Sequence, residues 1–135
     1  MSPDNGLLLD TNVILWILKQ EDSKFSKRAA KALSHPDKDF LVSVVSLWEI
    51  MIKRHAGKLM VDKEAGEIID IIRSQRTWHI LSLEARHIQA LNEIARFSDH
   101  ADPFDRMLIA QAHSEGLRIV TSDEQFSRYD VDVVW

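Results

Sequence analysis

A chain of 135 residues is long enough to bury a real core as a single domain without disulfide or metal staples. It has no cysteine, which excludes a disulfide framework and a thiolate metal site and suits a reducing cytosol. The formal charge of -4 lacks the Lys and Arg excess that phosphate contact normally brings. About two divalent cations held by carboxylates would add +4, however, so charge excludes no nucleic-acid function.

Residues 1–6 carry neither the basic nor the apolar region of a secretion signal, and no apolar run approaches the length of a membrane span. A soluble, cytoplasmic protein is expected. Residues 6–16 read GLLLDTNVILW. The run Leu7, Leu8 and Leu9 predicts a strand buried on both faces, and helical spacing follows over 12–19. Asp10 then falls at the carboxyl end of a buried strand, where open α/β sheets place their ligands. An Ala-rich helix is predicted over 27–33, closed by His35-Pro36-Asp37.

A second strand is predicted over 40–43 and a helix over 46–56, with Gly57 as its C′ residue. A helix over 62–73 carries Ile68, Ile69, Ile71 and Ile72, and a third strand spans 78–83. A helix over 84–96 places Ile88, Leu91 and Ala95 on one stripe. Asp102-Pro103 is a helix-start signal, because Asp caps and Pro suits the first helical position; this helix runs to Glu115, with Gly116 closing it. A strand over 118–121, a short helical turn over 123–128 and a strand over 131–134 complete the chain. Strands alternating with helices predict a three-layer α/β sandwich with a mostly parallel five-stranded sheet, in one domain over 1–135.

Five acids invite a role, and each has a plainer reading beside it. Asp10 is either the N-cap of the following helix or a ligand at the sheet edge. Glu49 fits a capping box with Ser46 and an i,i+4 pair with Lys53, yet its apolar surroundings bury it, and an isolated buried carboxylate is costly unless a cation meets it. Asp102 is well explained as a cap. Asp105 suits the helix dipole, but its stripe runs on through Leu108, Ile109 and Ala112, which should pack inward. Asp123 follows the strand RIVT, and neither capping box there, Thr121-x-x-Glu124 or Ser122-x-x-Gln125, uses it as the cap.

Taken jointly, Asp10, Glu49, Asp105 and Asp123 fall at strand ends or in early turns of buried helices, so one edge of the sheet could gather them. Carboxylates packed together repel unless a cation sits among them, and all-oxygen ligation suits Mg²⁺ or Mn²⁺, as one or two ions. Two such ions about 4 Å apart can activate a water and stabilise the leaving oxygen of a phosphodiester. The six histidines form no H-E-x-x-H pair and read as surface or core. No Gly-rich phosphate loop and no G-x-S-x-G elbow is present.

The segments LLLDTN, SLWEIMIK, DPFDRMLIAQA and VTSDEQF resemble, in order and spacing, the PIN-domain ribonucleases, and within them the VapC-like toxins of bacterial toxin–antitoxin modules. The resemblance covers nearly the whole chain. It implies a parallel sheet between helices, a homodimer, RNA cleavage with Mg²⁺ or Mn²⁺, and silencing by an antitoxin. By position it implies an acidic core of Asp10, Glu49 and Asp105, with Asp123 as the fourth acid and Asp102 as the accessory acid. It places Thr11, Asn12, Thr121 and Ser122 beside the site. Candidate RNA contacts are Lys53, Arg54, His55 and Lys58 after Glu49, Arg106 beside Asp105, and a second cluster of Lys24, Lys27, Arg28 and Lys31. The expected function is a metal-dependent endoribonuclease acting as the toxin of such a pair. Two alternatives stand beside it, a receiver-like or aspartyl-phosphate phosphoryl-transfer domain and a non-catalytic binding module.

Overall fold

Three consecutive leucines make the centre of the sheet. In the computed structural model, which describes residues 6–135, Gly6–Leu9 (β1) pairs in parallel with Asp39–Ser43 (β2) on one side and Arg118–Val120 (β4) on the other. Trp78–Leu81 (β3) adds beyond β2 and Val133–Val134 (β5) beyond β4, giving the order β3-β2-β1-β4-β5. All four pairings are parallel, as the alternating strand and helix pattern predicts. The first five positions of the segment read as lacking leader character lie outside the described residues.

The helices are Thr11–Leu18 (α1), Lys27–Leu33 (α2), Val44–His55 (α3), Ala65–Ser74 (α4), Ala85–Ala90 (α5) and Pro103–Glu115 (α6). Side chains alternate across a strand, so Leu7 and Leu9 enter one layer with Val13, Ile14, Ile50, Ile68 and Ile72. Leu8 enters the other with Leu108, Ile109, Ile119 and Phe126. Each fully buried leucine of β1 contributes about 1.5–3 kcal/mol of burial, which fixes the strand between two helical layers. No helix among the described residues is long and apolar enough to cross a membrane.

Strand order fixes where a site can form. From β1 the chain winds outward through β2 and β3, then returns to β4 on the other side of β1, so the carboxyl ends of β1 and β4 flank the topological switch point. That crevice is where open α/β sheets bind ligands. Asp10 follows β1 and Thr121 follows β4, and the Asp10 amide donates to the Val120 carbonyl at 3.0 Å.

Several expectations need correction. Helix α3 starts at Val44, capped by the Ser43 hydroxyl, which accepts from the Val45 amide; Ser46 lies inside the helix, so the capping box with Glu49 does not form. Helix α4 starts at Ala65 because Glu64 and Glu67 form a capping box there. Helix α5 stops at Ala90 rather than near 96. Beyond it the amides of Leu91, Asn92 and Glu93 reach back only three residues, and these tighter turns carry Ile94 and Phe97 onto the second core layer. Ile88, placed on an inward stripe by spacing, is 50% exposed. Strand β3 ends at Leu81 and β5 begins at Val133, each shorter than predicted.

Candidate active site

The strand-to-helix turn after β1 presents Asp10. Its backbone is extended, in the N-cap position of α1, but Oδ1 accepts from the amide of Thr11, the first helical residue, at 2.7 Å. A conventional cap would reach the second or third amide, so this carboxylate is held by its neighbours instead of closing the helix. Oδ2 accepts from the Thr121 hydroxyl at 2.8 Å across the switch point. Burial pushes the Asp10 carboxyl up to about 7; the Thr121 hydroxyl opposes that shift, the charge of Asp105 adds to it, the Thr11 amide opposes it and Glu49 adds to it again.

Glu49 projects from α3 into the same crevice at 4% exposure. Its Oε2 receives the Lys53 ammonium at 2.5 Å, the i,i+4 pair that spacing predicts. Its Oε1 is buried and has no hydrogen-bond partner among the described residues. A buried carboxylate oxygen left unpaired is costly, and a cation at that point would remove the cost.

Asp102 and Asp105 divide as expected. Asp102 caps α6, its Oδ1 accepting from the Asp105 amide at 2.9 Å, with Pro103 at the first helical position. Leu108, Ile109 and Ala112 pack inward and set Asp105 at the mouth of a buried helix. Burial pushes Asp105 up to about 6, the hydrogen bond from His100 opposing the shift while the charges of Asp102 and Glu49 add to it. Asp123 departs from the expectation that it is not a cap. It is the N-cap of the 3-10 turn Glu124–Arg128, its Oδ1 accepting from the Gln125 amide at 2.9 Å.

The charges of Asp105 and Glu49 act on Asp10 and that of Glu49 acts on Asp105, while ligand atoms of His100, Asp105 and Asp123 all lie within 4.8 Å of one another. His100, Asp105 and Asp123 thus present ligand atoms close enough to share a cation, and carboxylate oxygens are the donors that hard divalent ions favour. His100 is the residue that sequence reasoning missed. It is buried, with Nε2 at 3.0 Å from Asp105 Oδ2 and Nδ1 at 2.8 Å from the Tyr129 hydroxyl. Its only sequence signal is its place two residues before the Asp102 cap.

The predicted contact residues sort unevenly. Thr11 is buried and donates to the Ser46 hydroxyl at 2.9 Å, and Thr121 is spent between Asp10 and the Asp123 amide. Asn12 and Ser122 are exposed beside them. Lys53 lies at the site, and its hydrogen bond to Glu49 raises its pKa, against the opposing effect of burial. Arg54 is tied instead to Glu64 and the Val61 carbonyl, and Arg106 donates to the Ala95 carbonyl at 2.9 Å. Beside the acids, Val45, Trp48, Phe104 and Met107 line an apolar hollow of about 380 Å³, with Trp48 60% exposed against the Phe104 ring.

A family model for the PIN domain matches residues 7–132. A search among curated proteins finds no match. The chain is similar to a solved structure of VapBC2 from Rickettsia felis bound to a DNA fragment from their promoter, with 16% identity, a TM-score of 0.67 and coverage of 95% of this chain and 96% of that one. It is similar to DNA-bound VapBC from Salmonella typhimurium, with 19% identity, a TM-score of 0.65 and the same two coverages. Similarity extends to VapBC-1 from nontypeable Haemophilus influenzae, at 17% identity and a TM-score of 0.62, again over 95% and 96%. At these identities the likeness is one of fold.

Proposed function

The chain belongs to the PIN domain family, a family of nucleases, and from that premise we propose that it is a single-domain, metal-dependent endoribonuclease. Supporting the reading, Asp10 lies at the switch point, the charges of Glu49 and Asp105 act on it, Asp105 and Asp123 lie close enough to share an ion, and one buried oxygen of Glu49 has no hydrogen-bond partner among the described residues. Asp10 and Asp105 would hold the principal Mg²⁺ or Mn²⁺, and Glu49 and Asp123 would complete the site. A divalent cation there supplies Lewis-acid polarisation of a phosphodiester and lowers the pKa of water.

The protein's own groups do the rest. Thr121 and the Thr11 amide hold the Asp10 carboxylate in one orientation, so the site is set before a ligand arrives. Glu49 and Asp123 would orient the attacking water and one of them would take its proton, as the water oxygen bonds to phosphorus, the P–O3′ bond breaks and solvent protonates O3′. Lys53, protonated and 42% exposed at its side chain, offers a charge to the substrate phosphate, with exposed Asn12 and Ser122 beside it. The products are a 5′-phosphate and a 3′-hydroxyl.

The chain acts in the cytoplasm as the toxin of a toxin–antitoxin pair, forms a homodimer and is silenced by a cognate protein antitoxin. The resemblance of its motifs to VapC-like toxins and its likeness in fold to VapBC structures support this reading. The apolar hollow around Trp48 offers area for a protein partner. Incubating wild type and Asp10→Asn with total cellular RNA and Mn²⁺, then mapping the cleaved ends, tests the activity. Cleavage by wild type alone is expected; equal cleavage by both overturns the assignment.

A further inference from the structure

Asp105 and Asp123 come from different elements, the first turn of α6 and the turn after β4, yet an oxygen of each lies within 4.8 Å of the other and of a His100 ring nitrogen. Two carboxylates that close repel, so something must hold them. We propose that His100 and Tyr129 form a clasp that sets the spacing of Asp105 and Asp123 and thereby the affinity of the site for a divalent cation; the proposal rests on the nuclease reading above.

The clasp has a defined order of donors. The Asp105 carboxylate only accepts, so His100 Nε2–H donates to its Oδ2 at 3.0 Å. In the neutral ring His100 Nδ1 then accepts, and the Tyr129 hydroxyl donates to it at 2.8 Å. Tyr129 follows directly on the turn that Asp123 caps, so this buried hydrogen bond joins the loop before α6 to the segment bearing the fourth acid. Around it, Arg128 bonds Asp99 at 2.9 Å and lies 4.0 Å over the Phe97 ring, and Phe97 meets Tyr129 edge-on with centroids 5.1 Å apart. The same two segments are thus also fastened through Phe97 and Asp99, just before the histidine. His100 and Tyr129 are positioning residues, acting on the cation through Asp105 and Asp123.

Partners that orient a ligating carboxylate typically carry 10–100-fold of metal affinity. Mn²⁺ alone is titrated by calorimetry into wild type, Asp10→Asn, His100→Leu, His100→Gln and Tyr129→Phe, each checked by circular dichroism and melting. His100→Leu should bind Mn²⁺ roughly tenfold or more weakly than wild type. His100→Gln, whose amide can still donate to Asp105, should recover most of that loss. Tyr129→Phe keeps the ring contacts and removes one hydroxyl, so it should fall between, and it decides the matter if His100→Leu does not fold. A purely structural role would lower melting temperatures and leave Mn²⁺ affinity unchanged. Affinity equal to wild type in Tyr129→Phe and in folded His100→Leu overturns the clasp and leaves the nuclease reading standing. A wild type that binds no Mn²⁺, or binds it as Asp10→Asn does, overturns both.

Discussion

Asp10 links the site to the stability of the fold. Its carboxyl, ordinarily near 3.8, is pushed up to about 7 in the folded protein, where burial disfavours the charge. Between those values the folded state holds a proton that the unfolded chain has lost. Stability therefore falls as pH rises from about 4 to about 7, by an amount on the order of a few kcal/mol, and levels off above. Asp105, pushed up to about 6, adds a smaller fall within the same window. Urea midpoints measured in chelator at pH 5 and pH 8 should show a larger drop for wild type than for Asp10→Asn. Equal drops would remove Asp10 from the account.

At the scale of elements, α6 is the piece the sequence announces most clearly. Asp102 caps it, Pro103 starts it, and Gly116 ends it at φ 67°, the left-handed conformation that glycine adopts without strain. Asp102→Ala should cost about 1 kcal/mol, read as a lower urea midpoint, because the Asp105 amide loses its acceptor. Elements set by tertiary contacts were less legible. Residues 91–96 have good helix formers, yet the Arg106 guanidinium takes the Ala95 carbonyl and the core takes Ile94 and Phe97, so packing overrides propensity. The pattern offered Ser46 as the helix start, but β2 ends at Ser43 and its hydroxyl takes the Val45 amide, so the helix begins two residues earlier.

Across the whole molecule, the central strand and the place of Asp10 at its carboxyl end could be read from GLLLD, because three buried leucines leave one place for the residue that follows them. His100 could not be read that way. It stands alone in a loop, and its role depends on Tyr129, 29 positions later, and on a turn that brings the two together. The acidic balance of the chain also hides its substrate surface. Arg54 and Arg106 are committed elsewhere in the fold, whereas Lys53 pairs with Glu49 and so stands beside that proposed site residue. RNA binding by Asp10→Asn should weaken with salt, and adding Lys53→Ala should reduce the log–log slope by about 0.7, the value for one phosphate contact on a single strand. An unchanged slope would place RNA elsewhere.

The most direct measurement is cleavage of total RNA by the purified wild-type chain, treated with EDTA and then supplied with Mn²⁺. The proposed metal site predicts that cleavage stops in chelator and returns with the ion, and that Asp105→Asn shows neither the activity nor its return. Cleavage that persists in EDTA, or that Asp105→Asn retains, would contradict the account.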